Sequence, residues 1–252
     1  MILAVDIGNS NIALGIYNQR WVQHWRLSTV ANKTFDEYAI QLQSLFANSG
    51  IPLSAIEQVV MSSVVPPLTA TFQRMLAELT QRQPLVISTS LRTDLSIAID
   101  NPHELGTDLL ANAVAGHHLI RTDCVVVDFG TALSVVTVSQ TGEIQGVCIA
   151  PGLESAMKAL STNTAQLPFV PLVPPPSVIG KNTAHAIQSG IVLGYVGLVE
   201  GLVSRIENEL ERTVNVIATG GLAEVIAPLT NRFSRLEPWL TLDGLRLIAA
   251  LN

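Results

Sequence analysis

Two short stretches of the sequence each place a carboxylate and a glycine turn after an apolar run. The first reads Asp6-Ile7-Gly8-Asn9-Ser10, and the second, 122 residues later, reads Asp128-Phe129-Gly130-Thr131. A second run of β-prone residues follows each stretch, so each predicts a strand, a tight turn and a returning strand. Backbone N–H groups of such a turn can bind phosphate oxygens, and the carboxylate can bind a cation. The repeat therefore predicts a nucleotide site that involves a metal ion.

The polar residues of the two turns fit the same interpretation. A single Asp-x-Gly sequence is a common turn, but two carboxylates that follow apolar strands are costly to bury unless a cation or hydrogen-bond donors meet them. The side chains of Asn9, Ser10 and Thr131 suit hydrogen bonds to phosphate oxygens. The sequence has no Gly-x-x-x-x-Gly-Lys-Ser/Thr, which excludes a P-loop, and it has only three lysines. Metal ions and backbone donors must therefore balance most of the phosphate charge.

Two further glycine motifs leave alternatives open. Thr219-Gly220-Gly221 ends a predicted strand, where small residues let a nucleoside approach the backbone, although an ordinary strand-to-helix turn has the same composition. Gly106-Thr107-Asp108 begins a predicted helix, whose N-terminus attracts negative charge. Asp108 therefore either starts this helix or, because it precedes the second Asp-x-Gly turn, serves as a general base.

The elements that must position these residues indicate an α/β fold. The 252 residues suffice for two half-domains of about 120 residues each. We therefore predict two similar halves, residues 1–120 and 121–252, each with a mixed sheet that an antiparallel hairpin opens. The other predicted strands cover 58–65, 84–88 and 214–219, the predicted helices cover 35–46, 68–79, 104–118, 153–160, 189–212 and 240–251, and a turn-rich loop covers 146–152.

Composition and charge exclude several classes of protein. The chain is 48% hydrophobic and 13% charged, with a net charge of −6 and no basic cluster, which argues against nucleic-acid binding. No apolar run approaches the roughly 20 residues of a membrane helix, and the first residues lack the basic region of a signal peptide. Cys124 and Cys148 have no metal-ligand spacing, so we expect reduced thiols in a cytoplasmic protein.

Four glycines lie along one face of the helix predicted over 189–212. They are Gly190, Gly194, Gly197 and Gly201. Each costs roughly 1 kcal/mol relative to alanine inside a helix, which indicates that another backbone approaches this face closely. Two interpretations remain open, namely tight packing on a sheet of the same chain and a homodimer interface.

Taken in order, these motifs resemble the type III pantothenate kinases of bacteria, which belong to the superfamily of acetate kinases, sugar kinases, Hsp70 and actin. The resemblance covers nearly the whole chain. It also includes Asn101-Pro102 with Glu104-Leu-Gly-Thr-Asp108, Ile149-Ala-Pro-Gly152, Asn163-Thr-Ala-Gln-Leu-Pro168, Ile179-Gly180 with Thr183, and Gln188-Ser-Gly190. It implies two half-domains of the actin-like (ribonuclease H-like) type with ATP in the cleft between Asp6 and Asp128.

The resemblance also implies an activity. The enzyme would use ATP to phosphorylate the primary hydroxyl of pantothenate, the first step of coenzyme A biosynthesis. It would require Mg²⁺ and a monovalent cation, K⁺ or NH₄⁺, and would work as a homodimer without nucleic-acid or membrane partners.

Residue roles follow from the matched positions. Asp108 matches the proton acceptor, Asp128 matches the monovalent-cation ligand, and Asp6 is the second metal-binding carboxylate. The matched ATP contacts are Asp6, Ile7, Gly8, Asn9, Ser10, Asn11, Ile12, Ala13 and Thr131, to which Gly220 and Gly221 add a nucleoside contact. The matched pantothenate contacts are Gly106, Thr107, Asp108, Leu109 and Thr183.

The chain departs from the family pattern at four places. Leu109 stands where the family usually has Arg, and Ile99 stands where it usually has Tyr. The other two are Leu133-Ser134-Val135-Val136 after the second turn and Gly146-Val147 before Ile149. The loss of Arg removes five donors and a charge that could meet the pantothenate carboxylate. An alternative function is therefore an ATP-binding regulatory protein with weak or no kinase activity, as in bacterial relatives named as accessory factors for toxin expression.

Overall fold

The computed structural model describes all residues, 1–252, and divides into two compact units. Unit 1 comprises Met1–Asp94, Asp100–Ala115 and Leu240–Asn252, and unit 2 comprises Leu95–Ile99 and Gly116–Trp239. The C-terminal helix therefore packs with the N-terminal residues, although it follows residue 120 in the sequence.

The eleven strands form two sheets. The strands are β1 (Ile2–Ile7), β2 (Asn11–Asn18), β3 (Arg20–Ser28), β4 (Gln58–Ser63), β5 (Leu85–Val86), β6 (Ser96–Ile97), β7 (Cys124–Phe129), β8 (Ala132–Val138), β9 (Glu143–Pro151), β10 (Asn215–Thr219) and β11 (Arg235–Leu236). The first sheet has the order β3-β2-β1-β4-β5, and the second has the order β11-β10-β7-β8-β9-β6.

The structure has eight α-helices. They are α1 (Phe35–Ser49), α2 (Pro66–Thr80), α3 (Thr107–Ile120), α4 (Leu153–Thr162), α5 (Thr183–Gln188), α6 (Gly194–Leu210), α7 (Ala223–Ile226) and α8 (Leu240–Ala249). The predicted helices over 35–46 and 68–79 are confirmed, with α1 fixed by a capping box between Thr34 and Glu37 and by Gly50 in the left-handed conformation.

The sequence repeat is a repeat of the fold. In the first sheet β1, β2 and β3 run antiparallel, and β4 and β5 add in parallel beyond β1. In the second sheet β7, β8 and β9 repeat the antiparallel part, and β10 and β11 repeat the parallel part. The predicted pair of mixed sheets, each opened by a hairpin, is confirmed.

The first sheet has two different faces because side chains alternate along a strand. Leu3, Val5 and Ile7 of β1 join a core with residues of α1 and α2. The opposite face carries Asp6 and is packed by α8, whose Leu242 lies against Gly15 of β2. The site carboxylate of β1 therefore lies on the α8 face and not in the α1–α2 core.

Two predictions about strands are wrong. The loop expected over 146–152 is the second half of β9, which pairs antiparallel with β8 and has a register shift opposite Thr137 and Val138. Gly146 lies beside this irregularity and Pro151 ends the strand, which are the places where a strand tolerates these residues. The residue pattern also does not predict β3, because that edge strand, which includes Arg20, carries polar residues on its exposed side.

The long helix of unit 2 begins earlier than predicted. It starts at Thr183 instead of Ser189 and runs through α5, a π-helical turn (Ser189–Leu193) and α6. This stretch, Thr183–Leu210, is long and apolar enough to cross a membrane by length and composition alone, and 44% of its most apolar window is buried inside the protein. Core helices of soluble proteins pass the same test, so this single stretch is weak evidence for a membrane span.

Candidate active site

The turn that follows β1 exposes backbone groups at the end of a buried strand. The Gly8 N–H donates to the Asn11 carbonyl at 3.0 Å, which closes the turn. Thr29, the residue after β3, fixes the turn from outside. Its N–H donates to the Ser10 carbonyl at 2.9 Å, and its Oγ1 donates to the Gly8 carbonyl at 2.6 Å. Asn9, Ser10 and Asn11 are exposed. The turn therefore presents a fixed set of donors for phosphate oxygens, and Thr29 is a supporting residue that no sequence motif marked.

Asp6 lies one residue before this turn and is aligned with a second polar residue. In the parallel pair β1–β4, Asp6 is opposite Ser62, and residues in register on neighbouring strands point to the same face. Asp6 is half-buried and Ser62 is fully buried. The hydroxyl oxygens of Ser62 and Thr107 are 2.8 Å apart. The structure thus brings the strand of Asp6 and the start of α3 together within unit 1.

Asp108 lies in the first turn of α3. Its Oδ1 accepts a hydrogen bond from the Leu109 N–H at 2.8 Å. Burial raises the pKa of the Asp108 carboxyl above its ordinary value, and hydrogen bonds from the backbone of Leu109 and of Asp108 itself oppose part of that rise. A carboxylate with a raised pKa is a better proton acceptor, as a general base requires.

Gly106 leaves room for the Asp108 side chain. A Cβ atom placed on Gly106 would lie 2.5 Å from Asp108 Oδ1 and 3.6 Å from Leu109 Cγ. Three of the residues matched to pantothenate contacts are therefore neighbours in space as well as in sequence. Position 109, where the family pattern has Arg, is directly beside the proposed base.

The second carboxylate, Asp128, has an equivalent setting in unit 2. It is aligned with Thr219 of β10 in the parallel direction and with Ser134 of β8 in the antiparallel direction. Gly220 follows with φ +92°, and a Cβ there would collide with Asp128 Oδ1 and the Phe129 backbone. The motif Thr219-Gly220-Gly221 therefore packs directly against Asp128, and only glycine fits at position 220 without strain.

The turn that contains Gly130 and Thr131 is held by the start of α4. The Gly152 N–H donates to the Thr131 carbonyl at 3.0 Å, and Ser155 Oγ donates to the same oxygen at 2.8 Å. A Cβ on Gly152 would meet the carbonyl groups of this turn. The Thr131 side chain is exposed, whereas its carbonyl oxygen accepts both of these hydrogen bonds.

The donor sets at both carboxylates suit hard cations. Asp6 and Asp128 offer carboxylate oxygens with hydroxyl groups aligned beside them, and Mg²⁺ prefers such oxygen ligands. No group of three or more His, Cys, Asp or Glu residues comes together anywhere in the structure. This arrangement fits Mg²⁺ in kinases, where one or two carboxylates bind it together with phosphate oxygens and water.

Neither cysteine is part of these clusters. Both are free thiols. Burial, and to a smaller extent the charge of Asp123, raises the pKa of the Cys124 thiol to about 12, so it stays protonated.

Thr183 lies elsewhere in unit 2, at the start of α5. The preceding Asn182 caps the helix, since its Oδ1 accepts from the His185 N–H at 2.8 Å. Thr183 lines a cavity of about 480 Å³ whose other walls are apolar and include Leu160 and Ile187. Cavities of this size hold small organic molecules, and a single hydroxyl can orient them.

The sequence is similar to one family of kinases over most of its length. The sequence pattern of the family described as type III pantothenate kinase matches residues 2–205. The chain is 44% identical over 253 residues to a type III pantothenate kinase of Citrifermentans bemidjiense, and the match covers 100% of both chains.

Two solved structures show the same fold. One is the inorganic polyphosphate/ATP-glucomannokinase from Arthrobacter sp. strain KM, with a TM-score of 0.50, 14% identity and coverage of 99% of this chain and 98% of that one. The other is the activator of the 2-hydroxyisocaproyl-CoA dehydratase from Clostridium difficile with bound ADPNP, with a TM-score of 0.51, 13% identity and coverage of 99% and 92%. Identities this low show the fold alone, and that fold is the predicted actin-like one.

Proposed function

The chain belongs to the type III pantothenate kinase family, and from this premise we propose that it transfers the terminal phosphoryl group of ATP to the primary hydroxyl of pantothenate. The product is 4'-phosphopantothenate, and the reaction opens coenzyme A biosynthesis. The observation that carries the proposal beyond family membership is the cluster in unit 1, where the strand of Asp6 and the helix of Asp108 are joined through Ser62 and Thr107. The comparisons favour a kinase over a regulatory protein of the same fold.

Each part of the proposed site has a physical role. Residues 7–13, which form the turn after Asp6 and its flanking strand ends, bind the phosphate oxygens of ATP through their backbone. Further contacts to the nucleotide come from Thr131, Gly220 and Gly221. Asp6 would hold Mg²⁺ and Asp128 would hold K⁺ or NH₄⁺, cations that neutralise the charge on phosphate during transfer. Asp108 accepts the proton of the attacking hydroxyl. The sequence Gly106–Leu109 and, separately, Thr183 bind pantothenate.

A direct assay tests this function. Purified protein is mixed with ATP, Mg²⁺, K⁺ and pantothenate, and ADP release is followed by a coupled reaction while mass spectrometry identifies phosphopantothenate. We expect ADP release that depends on pantothenate. ATP binding without such turnover would instead support the regulatory alternative, and the proposed kinase activity would be wrong.

Leu109→Arg is expected to lower the KM for pantothenate by about tenfold with little change in kcat. The substituted guanidinium would lie in the first turn of α3, beside Asp108 and Gly106. There it can pair with the pantothenate carboxylate, and hydrogen bonds to a charged group are stronger than neutral ones. The measurement is steady-state kinetics with pantothenate.

Two controls isolate the charge. Leu109→Gln adds a long polar side chain without charge, and it should leave the KM near that of the wild type. Pantothenol lacks the carboxylate, so its KM should not respond to Leu109→Arg. An equal gain for pantothenate and pantothenol would mean that position 109 does not contact the carboxylate.

The enzyme is proposed to be a homodimer in the cytoplasm. Cβ atoms placed on Gly190, Gly194 and Gly197 meet nothing within 4 Å, so packing on a sheet of the same chain is the wrong explanation for these glycines. They lie on one exposed helical face, and the exposed side chains of Phe169 and Ile179 add apolar surface in the same unit. A second copy that covers this face accounts for both features.

Gly194→Arg is therefore expected to convert the dimer to a folded monomer. The monomer has open space for the side chain, whereas close helix packing between two copies does not. Sedimentation velocity should give twice the chain mass of 27.0 kDa for the wild type and the single mass for the variant. Glu209→Arg, which is exposed near the other end of α6 and about 22 Å along the helix from Gly194, should remain dimeric. A monomeric wild type would contradict the proposed assembly.

A further inference from the structure

A buried pair of hydroxyl groups links the strand of Asp6 with the helix of Asp108. Ser62 has no exposed surface, and its Oγ is 2.8 Å from Thr107 Oγ1. Either oxygen can be the donor. Because a buried hydroxyl without a partner is costly, this hydrogen bond fixes the distance between β4 and the beginning of α3.

This hydrogen bond holds the first turn of α3, which positions Asp108. Thr107 is the first residue of α3, and the first four N–H groups of a helix lack partners within it, so this turn is the part most prone to loosen. Asp108 is the next residue, and its carboxylate is tied to the Leu109 N–H of the same turn. A movement of Thr107 therefore carries the Asp108 carboxylate with it.

Ser62 also lies beside Asp6, the carboxylate proposed to bind Mg²⁺. It is in register with Asp6 on the adjacent strand, and strands in a sheet are only about 4.8 Å apart. One buried side chain is thus adjacent both to the carboxylate proposed for Mg²⁺ and to the turn that carries the proposed base. Ser62 is too deeply buried to touch a substrate itself.

We propose that Ser62 is a positioning residue for phosphoryl transfer. Through Thr107 it holds the first turn of α3 at a fixed distance from β1, so that Asp108 faces the acceptor hydroxyl while the phosphates are bound near Asp6. The inference rests on the proposed kinase function. Phosphoryl transfer depends chiefly on positioning, and a displacement of about 1 Å can cost about 100-fold in rate.

The test is a double-mutant cycle with Ser62→Ala, Thr107→Val and the combined variant. We expect Ser62→Ala to lower kcat at saturating substrates by about 10- to 100-fold, with the KM for ATP within about twofold of the wild type. The double variant should be no slower than the slower single variant, because both remove the same hydrogen bond. Thr107→Ser keeps the hydroxyl and should have a higher kcat than Thr107→Val.

The matched control is Ser63→Ala. Ser63 is the next residue of β4, and its Oγ donates to the Val65 carbonyl at 3.3 Å and accepts from Thr69 Oγ1 at 2.9 Å. Since Ser63 points away from the Asp6 face, its variant should keep the wild-type kcat even if its thermal unfolding temperature falls. Unfolding curves for every variant set an assay temperature at which all are folded.

The outcomes separate the two proposals. An active wild type whose kcat is unchanged by Ser62→Ala would overturn the positioning role and leave the kinase function intact. Losses that add in the double variant would show that Ser62 does not act through Thr107, and would overturn it as well. A wild type that releases no ADP in response to pantothenate would contradict the kinase function and, with it, this inference.

Discussion

Asp108→Asn is expected to lower kcat by about 10²–10⁴-fold while ATP binding stays near that of the wild type. The amide keeps the shape of the carboxylate and can still accept the hydrogen bond from the Leu109 N–H, which is 2.8 Å from Oδ1 in the structure. It cannot accept the proton of the attacking hydroxyl. The measurements are kcat with pantothenate and the dissociation constant of ATP.

The pH dependence gives a second readout of the same residue. Burial raises the pKa of the Asp108 carboxyl, and only the deprotonated form can act as a base. Activity should therefore fall on the acid side at a higher pH than an unperturbed aspartate would give, and the residual activity of Asp108→Asn should lack that acid limb.

The Asp108→Asn substitution should lower activity without lowering the stability of the folded protein. A carboxyl whose pKa is raised by folding makes the folded state less stable as the pH rises through that pKa, because the ionised form is poorly solvated there. Asp108→Asn removes this cost, so at neutral pH the variant should unfold at a temperature no lower than the wild type.

Asp36→Asn, in the exposed first turn of α1, is the matched control and should keep full activity. If Asp108→Asn retains full kcat, Asp108 only starts α3 and the catalytic assignment is wrong.

The parts of the site that could be predicted from the sequence depend on local signals. Each Asp-x-Gly turn joins two strands that are adjacent in sequence, so the pattern of residues 3–17 contains all that β1 and β2 need in order to pair. The same holds for β7 and β8. A turn at Gly220 could also be predicted, because this glycine directly follows a recognisable strand. Its positive φ is seen only in the structure.

Ser62 and Thr29 could not be predicted because their roles depend on distant parts of the chain. Ser62 becomes a neighbour of Asp6 only through the pairing of β1 with β4, and a serine in a buried strand gives no local signal. Thr29 reaches the Gly8 turn only because β3 pairs with β2. The strand β9 is not predictable for a related reason, since glycine and proline usually end strands and only the pairing of β9 with β8 makes them tolerable.

Removal of monovalent cations is expected to reduce turnover by roughly 100-fold, and Asp128 is proposed to be the residue responsible. Asp128 lies near the end of β7, in register with Thr219 on the neighbouring strand β10, and Gly220 is in close contact with its carboxylate. A cation held there neutralises negative charge near the bound phosphates, an effect worth several kcal/mol in the transition state. The measurement is ADP release in a tetramethylammonium buffer, titrated with KCl or NH₄Cl at constant ionic strength.

Two variants connect each cation with its own carboxylate. Asp128→Asn should be slow and should no longer respond to K⁺, while its Mg²⁺ requirement stays unchanged. Asp6→Asn should need more Mg²⁺ and bind Mg·ATP more weakly, but the K⁺ concentration that gives half-maximal activation should stay near that of the wild type. The two aspartates occupy equivalent places in the repeated fold, so a general effect of losing a charge would alter both responses alike. Full wild-type turnover without K⁺ or NH₄⁺, or a normal K⁺ response in Asp128→Asn, would mean that the second Asp-x-Gly turn binds the nucleotide without a monovalent ion.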